Sequence, residues 1–173
     1  MTQVKFWELI DAAASKAKGD SERFIEVLTE KLEGLTPDEL VEFKVCQEVE
    51  MHRAFTWDLW GAAYIINGGC SDDGFEYFRA WLMSRGSKVW EAALANAESL
   101  AAVKGVEPDE CELEELLYVA VNAYEGKTDG GDLYAKMQDR KDQPKAPSGT
   151  AWKEDGDDLD RRFPKLCKKF SDD

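Results

Sequence analysis

The apolar positions of this chain recur at intervals of three and four, the period of a helix that buries one face, in blocks separated by turn residues. Phe6, Leu9, Ile10, Ala13, Ala14 and Ala17 predict a first helix over 4–18 that stops near Gly19. Asp20 or Ser21 then caps a second, in which Phe24, Val27, Leu28 and Leu32 keep the period as far as Gly34. The short loop between them predicts antiparallel packing. "TPDEL" opens a third helix that runs toward Phe55. Thr36 caps it, Pro37 fits a first turn that needs no N–H there, and Asp38 and Glu39 complement the helix dipole.

"TWDLWGAAYIING" predicts a fourth helix, capped by Thr56 and stopped at Asn67, with Gly68 and Gly69 suited to a left-handed corner. Its apolar residues lie on nearly every side, which marks a buried central element. Ser71, Asp72 and Asp73 then supply a side-chain cap and two acids to a fifth helix, which carries Phe75, Phe78, Trp81 and Leu82 and ends at Gly86. "SKVWEAALANAESLAAV" reads as one continuous sixth helix, and 108–125, behind an acidic first turn, as a seventh. From 126 to 150, Gly130, Gly131, Pro144, Pro147 and Gly149 punctuate a Lys- and Asp-rich stretch, which predicts a long mobile surface connection. Leu159, Phe163, Leu166 and Phe170 predict that 151–173 docks on the rest as an amphipathic segment. The expected fold is therefore one all-α domain, a bundle of about six to eight helices with 57–67 and 71–85 at its centre.

Composition agrees with a packed domain: 173 residues, 43% hydrophobic and 11% aromatic, exceed what a disordered chain carries. Charge narrows the partners. Thirty-six acidic residues against 22 Lys and Arg give −14, which repels phosphate backbones and anionic lipid, so neither nucleic acid nor membrane is expected; solubility alone is the preferred reading of this charge and a basic protein partner the alternative. No apolar run reaches the length of about 20 residues that a spanning helix needs, and acids interrupt the N-terminal stretch; the expected location is cytoplasmic. Cys46, Cys70, Cys111 and Cys167 are scattered and form no CxxC pair, so they read as reduced thiols without a zinc or redox site.

Four blocks in order, "FWELIDAA", "WDLWGAAYIINGGCSDDGFEYFRAWL", "LLYVAVNAYE" and "LDRRFPKL", resemble the bacterial domain-of-unknown-function (DUF) 4240 family across nearly the whole chain. The resemblance implies a bacterial, soluble, helical protein. It implies no substrate, cofactor or catalytic residue, because the family is named for having no assigned activity.

Three groups carry candidate chemistry. Glu48 and His52 lie four apart on the third helix, with Asp58 beyond the next corner, a trio suited to a metal or a proton relay. The spacing matches no known ligand set, so an ordinary helix pair is the preferred reading and no metal or cofactor is expected. Cys70 beside a helix start could have a lowered pKa, but without a neighbouring histidine a packed thiol fits better. Arg79 interrupts an apolar helix and needs a carboxylate or carbonyl partner; an acid of the 57–73 segment is expected. The tentative binding set is thus Trp57, Asp58, Trp60, Asp72, Asp73 and Arg79. The preferred function is a non-catalytic binding module, for a basic protein or a small molecule. The alternative is a small enzyme or small-anion-binding protein using that same pocket.

Overall fold

The computed structural model describes residues 1–137, 144–154 and 157–170. Nine α-helices are present among them: α1 (Gln3–Ala17), α2 (Ser21–Glu33), α3 (Pro37–Arg53), α4 (Trp57–Ile66), α5 (Asp72–Ser84), α6 (Ser87–Ala95), α7 (Val119–Lys127), α8 (Asp158–Arg162) and α9 (Pro164–Phe170). Short 3-10 turns cover Ala97–Ala102, Glu114–Leu117 and Tyr134–Lys136. The described residues form no strand, so the fold is all-α.

The predicted caps form. Thr36 and Glu39 exchange bonds in a capping box, and Thr56 and Ser71 accept from Leu59 N and Gly74 N at 3.1 Å each. Where a helix lacks its own cap, a distant side chain supplies one. Gly86 precedes α6 at φ +91, and Asp11 of α1 accepts from Ser87 N and Ser87 Oγ at 2.6 Å. A Cβ at Gly86 would come within 2.9 Å of Asp11 Oδ1, so the close approach requires glycine. Buried Lys44 and Gln47 likewise donate to Leu117 O and Leu116 O, carbonyls at the end of the 3-10 turn that precedes α7.

Two predicted helices are broken. The sixth stops at Asn96, whose extended backbone (φ −160°, ψ 108°) and side-chain bond to Glu98 N at 3.1 Å start a 3-10 turn instead. The seventh begins only at Val119, because the backbone before it is committed elsewhere. Cys111 N donates to Asn67 Oδ1 at 3.3 Å, Leu113 N donates to Tyr77 O at 3.1 Å, and Asp109 sits at φ +61.

At the centre lies α5, which packs against α1, α2, α3, α4 and α6 and buries Phe75, Phe78, Trp81, Leu82 and Met83. The C-terminal segment docks on α4 through Gly61. A Cβ there would meet Phe163 Cε2 at 2.7 Å, Trp152 Cδ1 at 3.2 Å and Leu159 Cδ2 at 3.3 Å, so a side chain would push the segment off. Phe163 and Leu166 are buried by this docking, each contributing on the order of 1.5–3 kcal/mol. Glu98 accepts from Lys165 N, and Lys169 Nζ donates to Ala101 O, fixing α9 to the 3-10 turn. The stretch expected as a mobile connection over 126–150 is anchored at two points: Leu133 is fully buried, and Ser148 pairs with Thr56 in an isolated parallel bridge. Its residues 138–143 lie outside the described ones.

Candidate binding cavity

The bridge at Thr56 decides what faces α4. Trp57 N, unpaired within its own helix, donates to Ser148 O at 2.9 Å, and Ser148 N donates to Phe55 O at 3.0 Å. Residues 144–147 are thereby carried across the start of α4. On the opposite side, Gly68 and Gly69 turn the chain at φ +62 and +142 and Ser71 starts α5, with Asp72 and Asp73 exposed in its first turn. "INGGCSDDG" is a helix corner, and it also sets two acids at the rim of a cavity.

That cavity, of about 490 Å³, is lined by Phe55, Trp57, Trp60, Asp72, Asp73, Glu76, Arg79 and Pro144, Lys145, Ala146 and Pro147. One wall is a column of nearly parallel rings. Trp57 stacks on Trp60 at 5.3 Å and 9°, and Trp60 on Phe75 at 5.0 Å and 11°. Trp60 Nε1 donates to Cys70 O at 3.0 Å, which fixes the column to the corner. Phe55, Trp57 and Trp60 stay half-buried. The helical period of α5 puts Asp72, Glu76 and Arg79 on one face beneath this wall.

Arg79 departs from expectation. It contacts no carboxylate of the 57–73 segment; Nη1 donates to Met51 O at 2.7 Å and Nε to Phe75 O at 3.3 Å. Met51 O is among the last carbonyls of α3, which lack partners within the helix, so Arg79 caps α3 from another helix. Its guanidinium lies against both the Phe55 and Phe75 rings, 4.9 and 4.8 Å from their centroids, while the rings themselves stack at 5.9 Å. The residue is 2% exposed, and burial lowers its pKa to about 10 against the opposing pull of Glu76. Nη2 makes no hydrogen bond among the described residues.

The other candidates separate. Asp58 is exposed, bonds Arg162 Nη2 at 2.7 Å, and lines a different cavity of about 480 Å³ with Asn96, Ser148 and Phe163. Trp57, Trp60, Asp72, Asp73 and Arg79 share one cavity; Asp58 is not part of it. Glu48 and His52, half-buried on α3, are not in its lining either. Among the described residues no group of three or more His, Cys, Asp or Glu is placed to hold a metal. Burial and the charge of Glu112 push the Cys70 thiol up to about 12, the reverse of an activated cysteine.

Sequence reasoning missed Phe55, Phe75, Glu76 and Lys145. Glu76 was visible as the residue four after Asp72 and three before Arg79. Lys145 was not, because only the long-range bridge at Ser148 brings it here.

A second cavity, of about 370 Å³, also joins a guanidinium, an indole and acids: Arg85 lies over Trp81 at 4.8 Å, with Glu22, Glu107, Glu110 and Glu112 around it. Here Arg85 holds a corner of the fold, bonding Gly19 O and Ser21 Oγ.

Comparison with known sequences finds a family. The family model described as "Protein of unknown function (DUF4240)" matches residues 1–126. It stops short of the last of the four blocks that carry the resemblance, "LDRRFPKL", and of Pro144–Pro147. No curated protein and no solved structure matches this chain.

Proposed function

The chain belongs to the DUF4240 family of proteins of unknown function, and from that premise we propose that it is a non-catalytic binding module whose Trp57/Trp60 cavity engages a basic protein partner. The observation that carries this reading is one cavity in which half-buried indoles meet three carboxylates, Asp72, Asp73 and Glu76. Apolar ring faces supply contact area, and acids beside them attract a cation whose own desolvation the rings offset. The charge of −14 adds long-range attraction for the same class of partner.

A small anion at Arg79 is the competing reading, favoured by the unbonded Nη2 and by Lys145 in the same lining. The same three carboxylates oppose it, and the other guanidinium nitrogens are already spent on carbonyls. An enzyme built on Glu48, His52 and Asp58 has less support, since Asp58 is held by Arg162.

Capture on immobilised protein tests the proposal. A basic protein should be retained from cells of the source organism at about 50 mM salt and released at about 300 mM, where screening is several-fold stronger. The Asp72→Asn/Asp73→Asn/Glu76→Gln variant should not retain it. Absence of any salt-sensitive partner would contradict the reading.

A further inference from the structure

The cavity holds two opposite signals within one lining: carboxylates that call for a cation, and a buried guanidinium with a nitrogen to spare that calls for an acceptor. A bare cation would satisfy the first and a bare anion the second. A peptide segment satisfies both, because each residue offers a carbonyl and a basic side chain adds the cation.

The shape of the wall selects among cations. Trp57, Trp60 and Phe75 lie within 9° and 11° of parallel in successive pairs, a flat column that one perpendicular ring, Trp152, meets at Trp57. Flat columns take planar groups, and within the protein the Arg79 guanidinium already contacts aromatic rings, its Cζ 4.9 and 4.8 Å from the Phe55 and Phe75 centroids. Guanidinium stacks in this way and meets carboxylates with a two-pronged fork; ammonium does neither. Resting on the basic-partner reading above, we propose that the cavity binds a peptide segment bearing an arginine, with its guanidinium on Trp57 beside Asp72 and Glu76 and one of its main-chain carbonyls on Arg79 Nη2.

Acetyl-Ala-Arg-Ala-amide is the direct probe, titrated calorimetrically into the full chain. The citrulline peptide, which keeps the shape and loses the charge, should bind at least about tenfold more weakly, as should the Asp72→Asn/Glu76→Gln variant toward the arginine peptide. Those two side chains are exposed and half-buried, so an unchanged thermal melt of the variant keeps the result interpretable. The lysine peptide should bind more weakly than arginine by about fivefold, having charge without a planar face. Butylguanidine, the arginine side chain with no main-chain carbonyl and no added charge, should also lose at least about fivefold, the worth of one hydrogen bond. Equal binding of citrulline, of lysine or of butylguanidine, or of the variant, would overturn the proposal. If all peptides fail while the salt-sensitive capture of a basic protein persists, the basic-partner reading stands and this inference alone falls.

Discussion

The cavities around Arg79 and Arg85 are built from the same parts, a guanidinium, an indole and several carboxylates, yet they differ in what is left over. At Arg85 the indole is closed off, Trp81 being 2% exposed, and the guanidinium bridges Gly19 and Ser21 to hold the α1–α2 corner. At Arg79 the guanidinium is buried, with Nη2 alone left unbonded at the cavity, and the indoles Trp57 and Trp60 remain half-exposed. Structure consumes the aromatic surface in one case and the charge in the other. A stacking surface beside uncommitted acids survives only where the arginine has gone inside, which is why the binding reading attaches to the Arg79 cavity and not to its more acidic counterpart.

The largest difference should appear on truncation. Arg79→Ala removes the cap on Met51 O and a buried group packed against two rings, and should cost about 2–4 kcal/mol in urea unfolding. Arg85→Ala, half-buried and already carrying an unbonded Nε, should cost about 1–2 kcal/mol. Equal losses would erase the contrast.

Gly61→Ala addresses one cavity only. Its Cβ would press on Phe163 and on Trp152, whose ring meets Trp57 edge-on at 6.2 Å. Overpacking should outweigh the gain in helix propensity and leave a net loss of about 1–2 kcal/mol, with altered Trp57 emission and no change around Trp81. A stabilised variant would mean that the C-terminal segment is not held through this contact.

Smaller again is the response to alkaline pH. Cys70, near Arg79, and Cys111, near Arg85, are both pushed from 9.0 to about 12, chiefly by burial. A raised folded pKa means that the unfolded thiols lose protons first, so their contribution is full below 9, falls as pH rises, and is gone above about 12. Cys70→Ala and Cys111→Ala should each flatten the decline of stability between pH 9 and 12. Alkylation of the native protein should separate them, with half-buried Cys70 reacting before Cys111, which is 1% exposed.

Most of the helices were legible because their signals are local: a cap at Thr36, Thr56 or Ser71 and an apolar period behind it. The two breaks were not. Asn96 sits inside an unbroken apolar period, and its choice of a new turn over the old helix depends on a bond to Glu98 N that periodicity does not register. Residues 108–113 look like an acidic first turn but give their N–H groups to Asn67 and Tyr77, far away in sequence. The candidate site divides in the same way. Trp57, Trp60, Asp72, Asp73 and Arg79 lie within 23 positions of chain on adjoining helices and could be grouped by eye. Asp58, a neighbour in sequence, points its carboxylate to Arg162, and Lys145 arrives through Ser148; each outcome is set by a docked segment more than 80 residues downstream. Arg79 was recognised as needing a partner, but the main-chain carbonyl of Met51 was chosen over the acids because a helix end was there to be capped.

The contrast between the two cavities is tested most directly by following the indole N–H resonances while acetyl-arginine-amide is titrated in. The account predicts that Trp57 and Trp60 shift progressively and saturate while Trp81, over Arg85, stays fixed. A shift of Trp81 equal to that of Trp57, or no shift in any of them, would contradict it.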